Sequence, residues 1–270
     1  MIARTTYERE FPRTLVEILL QHGWDINHRR FRQQPLLWHM VYDGDLVEWC
    51  LERGARILAD GQKPWPKFDI NSGKECTKYL ERFPWSDEEA SEYFYDCPPI
   101  LERAAGESTV ATFELLRSKD AQLSWRVLHR AVSSRANRDL QKESTREQTS
   151  PTASDGVNRL DLSDGQLART RKERMAMVRH LVDTLKLDAN ARDQPPGWDL
   201  GGFWGRPLHY VAHHGGLGDT REVTLFLLDH GADLDLLNSK GESPMTMRRS
   251  HIQETVHEWR SLHSGNPGSI

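Results

Sequence analysis

The chain has 270 residues, of which 37% are hydrophobic and 28% charged. That is polar for one compact core but suits a thin architecture that leaves much surface exposed. A net charge of -4 argues against a global pull toward nucleic acid, and no run of about 18 apolar residues is present to span a membrane.

The cysteines are Cys50, Cys76 and Cys97. An odd, sparse set does not suggest a disulfide framework. The opening stretch from Met1 to Glu8 lacks the apolar run of a signal peptide. The expectation is a reduced intracellular protein, cytoplasmic or nuclear. Arg outnumbers Lys, and the nine Trp are many for this length; both suit contact surfaces, because guanidinium groups make bidentate contacts and stack on aromatic rings.

In chain order, one closing pattern recurs: an apolar helical run, then a Gly-Ala-Asp-like turn. It appears at Leu15–Asn27, Leu46–Ile57, Phe113–Leu123, Met177–Asn190 and Glu222–Asp235. Val178, Leu181, Val182 and Leu185 fall at i, i+3, i+4 and i+7, which predicts a helix with one buried face. Gly54 and Gly231 fall where a helix C-cap needs a left-handed backbone.

An opening pattern alternates with it, at Gln34–Met40, Pro98–Ala105, Arg126–Val132 and Arg206–Ala212, with a degenerate copy at Gly241–Met247. Pro at the start of a helix gives up an N–H that would be unpaired anyway. Two registers, one residue apart, fit the helix that starts at Pro35.

Arg206-Pro207-Leu208-His209, followed by Leu227-Leu228 and Gly231-Ala232-Asp233, resembles an ankyrin repeat. The divergent, insertion-rich style is similar to fungal members of that family. The resemblance covers residues 11–57, 97–134, 172–192 and 204–260. It implies an all-α solenoid of about five to six helix-turn-helix units with hairpin loops, forming a single domain over 11–260. It also implies a non-catalytic scaffold that binds a partner protein on its concave face, without a cofactor. A monomer is expected, and a nucleic-acid partner is not.

Four stretches fall outside the pattern. Gly54 and Asp120 lie 66 residues apart, about two repeats, so 58–96 is either an eroded repeat or an insertion. An aromatic-rich insertion is favoured, because no Gly-Ala-Asp signal falls near the midpoint. Residues 135–170, rich in Ser, Thr, Gln, Arg and Asp, predict disorder between two helices. Residues 194–205, which hold Trp198, Phe203 and Trp204, predict an extended hairpin, and 261–270 a flexible tail.

The candidate partner contacts are Trp38, Tyr42, Trp198, Phe203 and Trp204, since Trp and Tyr are common interface anchors. A competing reading is an enzyme or small-molecule binder, with an apolar pocket walled by Trp65 and Trp85 near Asp199, His209 and His213. His209 and His213 have the i, i+4 spacing of metal ligands. The sequence supplies no third ligand, however, and His209 is the repeat's own turn-holding histidine, so no metal is expected. Cys50 is expected in the core and Cys97 as a loop thiol.

Overall fold

A computed structural model describes residues 13–29, 33–59, 61, 96–137, 164–193, 205–214, 220–247, 250 and 252–263. Among these, all regular structure is helical. The helices are α1 (Arg13–Gln21), α2 (Leu36–Met40), α3 (Gly44–Glu52), α4 (Ile100–Glu107), α5 (Val110–Ser118), α6 (Val127–Asn137), α7 (Asp164–Arg179), α8 (Pro207–His214), α9 (Arg221–Asp229) and α10 (Gln253–His263). None is long and apolar enough to cross a membrane.

The helices work in pairs: α2 with α3, α4 with α5, α6 with α7, and α8 with α9. Each second helix buries the same short pattern of side chains. In α3 it is Leu46, Val47 and Cys50; in α5, Thr112, Phe113 and Leu116; in α9, Val223, Thr224, Leu227 and Leu228. Their N-termini are set locally. The Asp43 carboxylate accepts from the N–H groups of Asp45 and Leu46, and the Thr109 hydroxyl accepts from that of Thr112. Both pairings satisfy helix-end donors that would otherwise be unpaired.

Each second helix also ends alike. Gly23, Gly54, Asp120, Lys186 and Gly231 take positive φ of 87°, 83°, 68°, 58° and 80°. The next N–H then reaches back five residues: Trp24 to Leu19, Ala55 to Cys50, Ala121 to Leu116 and Ala232 to Leu227. This is the Schellman closure, which satisfies orphan carbonyls at the helix end. In the unit of α7 the reach is six residues, from Leu187 N–H to Leu181 C=O. A π-helical turn over His180–Thr184 absorbs the extra residue, and Leu185 N–H bonds His180 C=O.

First helices pack closely on one another, α4 on α6 and α6 on α8, while α3, α5 and α7 touch less. The fully buried Ala104, Ala105, Ala131 and Ala212 permit that approach. The tightly packed first helices α4, α6 and α8 form one side of the stack, its inner face. The fold is an all-α ankyrin-repeat solenoid.

The α2–α3 unit touches the α4–α5 unit directly. The Trp38 indole N–H donates to Pro98 C=O at 2.7 Å, and Arg103 Nη1 to Gln34 Oε1 at 2.5 Å. Residues 62–95, almost all of the aromatic insertion, lie outside the described residues. Two expected boundaries move: α6 and α7 extend into the 135–170 stretch read as disordered, over 135–137 and 164–170, and α10 takes in 261–263 of the expected tail. Residues 138–163 and 264–270 lie outside the described residues.

Hairpins are stapled across units by one asparagine. Asn27 donates from Nδ2 to Gly54 C=O at 3.0 Å and accepts the Arg56 N–H at 2.7 Å. Asn190 does the same with Gly231 C=O and Asp233 N–H, both at 2.8 Å.

The left-handed position gives a test. Gly231→Ala places a Cβ in a backbone that disfavours it and lowers stability by about 1 kcal/mol. Lys186→Gly relieves the same strain and leaves stability unchanged or raised by up to about 1 kcal/mol, the gain being reduced by glycine's freedom in the unfolded chain. Urea unfolding of the two variants should move in these opposite directions. Equal losses in both would contradict the assignment of Lys186 to the cap.

Candidate interaction face

One buried position in each first helix organises the inner face. Trp38, Glu102, His129 and His209 occupy it, and each is at most 3% exposed. The backbone sets the equivalence: the N–H groups of Trp38, Glu102 and His209 all donate three residues back, to Pro35, Pro99 and Arg206. His129 stands at the same third place of its helix, after Val127 and Leu128. This fixes the register of α2, with Trp38 where the other units carry His or Glu.

Every one of these side chains reaches the loop that leads into the next unit. Trp38 Nε1 donates to Pro98 C=O at 2.7 Å. Ser124 Oγ donates to Glu102 Oε1 at 2.5 Å. His129 Nε2 bonds Ala191 C=O and His209 Nε2 bonds Glu242 C=O, each at 3.1 Å. His209 also holds its own turn, its Nδ1 accepting the Arg206 N–H at 3.1 Å. A buried polar group is expensive unless bonded, so each tie requires its neighbour.

The residue after each tie is His39, Arg103, Arg130 or Tyr210; the first three reach the surface, and Tyr210 is buried in the core. Three residues further on lie Tyr42, Gly106, Ser133 and His213. These are two parallel columns along the inner helices. His39 and His213 are exposed; Arg103, Arg130, Tyr42 and Ser133 are half-buried. Arg103 is anchored by Gln34 and by Glu107 at 3.3 Å. The His39 pKa is lowered, first by burial and then by Arg103, which marks them as neighbours.

Tyr210 closes the end of its column over a buried carboxylate. Asp193 Oδ2 accepts from Tyr210 Oη at 2.5 Å and from Gly205 N–H at 2.9 Å. Asp193 and Gly205 flank residues 194–204 in the sequence, and the Gly205 bond joins them directly. Gly205 is required there, because a Cβ would sit 2.8 Å from His209 Cβ. The rings of Tyr210 and His129 meet edge-on with centroids 5.2 Å apart.

Burial dominates the electrostatics of this cluster. It pushes the His129 pKa down to about 3, helped by Arg126. It pushes Asp193 up to about 6, although the Tyr210 and Gly205 hydrogen bonds oppose the rise. Tyr210 is raised by burial and then by the Asp193 charge. Cys50 lies in the core, where burial raises its thiol to about 11. Cys97 is on a loop as expected, but it is fully buried.

The expected contacts divide. Trp38 is fully buried and spent on Pro98, so it is an internal tie and is withdrawn as a surface contact. Tyr42 stands half-buried on the inner columns, packed against the core. His209 is buried and bonded to backbone, while His213 is exposed on the same helix. Trp65, Trp85, Trp198, Asp199, Phe203 and Trp204 lie outside the described residues. Of the pocket reading, the described residues therefore hold only His209 and His213. No group of three or more His, Cys, Asp or Glu able to hold a metal occurs among the described residues. Sequence reasoning gave Asp193 and Tyr210 no joint role. The available signal was positional: Asp193 directly precedes the excursion, and Tyr210 follows the tie residue.

No family model and no curated protein matches this chain. Among solved structures it is similar to the ankyrin repeat domain of human ASB11, over 95% of this chain and 94% of that one, at 16% identity and a TM-score of 0.39. A likeness at that score adds no weight to the fold, which stands on the helix pairing and repeated caps.

The two buried acid–base groups give opposed pH dependences. His129 has a folded pKa of about 3 against 6.5 when exposed. Its contribution is whole above pH 6.5 and is lost as pH falls, because the unfolded chain takes the proton first. Asp193, raised from 3.8 to about 6, contributes below 3.8, and that contribution is lost as pH rises through 6. Asp193→Asn removes the second dependence and keeps an acceptor oxygen. Stability from urea unfolding should therefore fall more steeply between pH 6 and pH 4 in Asp193→Asn than in the parent chain. Parallel profiles would contradict the burial of an ionisable Asp193.

Proposed function

We propose that this chain is a non-catalytic scaffold that binds a partner protein along the inner face formed by α2, α4, α6 and α8. The observation that carries this reading is the pair of parallel columns, His39–Arg103–Arg130–Tyr210 and Tyr42–Gly106–Ser133–His213. The buried ties hold them in register from one unit to the next. Such a surface is formed before the partner arrives, so little side-chain or backbone ordering opposes association. Tyr42 and His213 are proposed contacts on the columns. Trp198, Phe203 and Trp204, which lie in the sequence between Asp193 and Gly205, are proposed contacts as well.

The pocket reading draws less support. His209, its best-placed histidine, has both ring nitrogens engaged by backbone groups. A general base needs a free nitrogen within reach of a substrate proton.

Photo-crosslinking separates inner from outer binding. A photoreactive residue placed at His39 or His213 should capture a discrete partner in extracts of the source cells. The same residue at Glu48, exposed on α3, or at Lys119, the exposed residue that caps the C-terminus of α5, should not. Capture only from Glu48 or Lys119 would overturn the inner-face assignment.

A further inference from the structure

We infer that the inner face takes an acidic protein segment, whose Asp or Glu carboxylates dock at the N-termini of α6 and α8 beside Arg126, Arg130 and Arg206. This rests on the proposed inner-face binding and names the chemistry of the partner.

The first ground is where the arginines stand. Arg126 C=O accepts the Arg130 N–H at 2.8 Å, and Arg206 C=O accepts the N–H groups of His209 and Tyr210. Both arginines therefore occupy the N-cap position of their helices. That end of a helix already carries a partial positive charge and favours anions. Cations there in two successive units add to the positive potential that the helix ends supply. The units of α2 and α4 carry Pro35 and Pro99 instead, which localises the effect between α6 and α8.

The second ground is Arg130. It lies one turn after Arg126 on the same helix face and is half-buried. Among the described residues its guanidinium makes no hydrogen bond or ion pair. Its pKa is lowered, first by burial and then by Arg126, while Glu102, Tyr210 and Glu107 act the other way. The acids around it are otherwise engaged: Glu102 is buried and accepts from Ser124, Glu107 pairs with Arg103, and Asp193 accepts from Tyr210 and Gly205. Arg206 Nη1 is held by Asn190 C=O at 2.6 Å, and its pKa is lowered first by burial and then by Arg192, while Asp188, Asp193 and Asp233 act the other way. A charged, half-buried donor with no protein acceptor can form charge-assisted hydrogen bonds to a partner's carboxylate.

The third ground is extent. Glu107 acts on Arg130 at one side of the cationic spot, and Asp188, Asp193 and Asp233 act on Arg206 at the other. A long polyphosphate would run onto those acids, whereas a short segment with two carboxylates would not. Packed helices lie about 10 Å apart, and an extended chain advances about 3.3 Å per residue. The fitting segment thus carries acids at i and i+3.

The probes are fluorescein-labelled hexaglutamate, hexaglutamine and a twelve-nucleotide oligothymidylate, read by anisotropy on the full chain. Hexaglutamate should bind, weaken with added salt, and lose roughly tenfold or more in affinity in Arg126→Gln/Arg130→Gln, since each charge-assisted bond lost is worth about that factor. Lys119→Gln should bind as the parent does, and hexaglutamine should not bind. Should the double variant unfold, NMR of the parent chain answers instead: the arginine Nε–Hε resonances of Arg126 and Arg130 should move on adding hexaglutamate. No hexaglutamate binding, equal binding by a folded double variant, or unmoved arginine resonances would overturn the inference. Tighter binding of the oligothymidylate through the same arginines would overturn the protein assignment in favour of a polyphosphate. If the peptide fails while crosslinks still arise from His39 or His213, only the acidic chemistry is lost and the inner face stands.

Discussion

A polar or amphipathic side chain is buried in each first helix and bonded to the loop of the next unit, and the rest of the stack depends on that constraint. No single unit can satisfy it alone. Trp38 needs Pro98, Glu102 needs Ser124, His129 needs Ala191, and His209 needs Glu242. Apolar packing between neighbouring units is strong but tolerant of small slips. A buried donor without its acceptor costs about 1–3 kcal/mol, and it fixes register as well as contact. The inner columns are straight because these ties are in register. The asparagine staples at Asn27 and Asn190 fix the hairpin edge in the same manner.

Three residue types, Trp, Glu and His, serve this one position, which is why it was only partly legible in the sequence. His129 and His209 were readable, because both follow Leu at the start of an apolar helix. Glu102 was not, because a glutamate in a first turn reads as a solvated charge. Trp38 was misread as an exposed anchor, since two registers fitted the helix after Pro35 and a Trp in a binding-type repeat suggests a contact. The structure fixes the register: Trp38 takes the histidine's place, and its indole N–H makes the same kind of bond. The closing turns were easier. Gly23, Gly54 and Gly231 are the residues a left-handed cap selects. Asp120 and Lys186 take the same backbone with a Cβ, so only the apolar run before them marked their units. The extra residue at His180–Thr184 had no sequence signature of its own.

The interaction face was legible only as far as the register. Once the tie residues are aligned, His39, Arg103, Arg130 and Tyr210 follow by counting one residue on. The Asp193 clasp was not readable, because it joins residues on either side of an eleven-residue excursion through a contact with a helix. Burial there separates two titrating groups, lowering His129 and raising Asp193, and composition carries no trace of that. The excursions themselves, with their tryptophans, are what a bare repeat would not need.

The central claim is that the ties couple neighbouring units, and His129 tests it most directly, since it joins the middle of the stack to its C-terminal part. Hydrogen exchange under increasing urea should be followed in the parent chain and in His129→Leu, which fills similar space without the imidazole's hydrogen bond to the Ala191 carbonyl. The account predicts that in the parent chain the amides of α4, α6, α8 and α9 lose protection together. In His129→Leu, α8 and α9 should exchange at distinctly lower urea than α4 and α5, as expected when one nearest-neighbour interface of a repeat array is weakened. Loss of protection in a single step across all units of His129→Leu, at the parent's urea concentration, would contradict it.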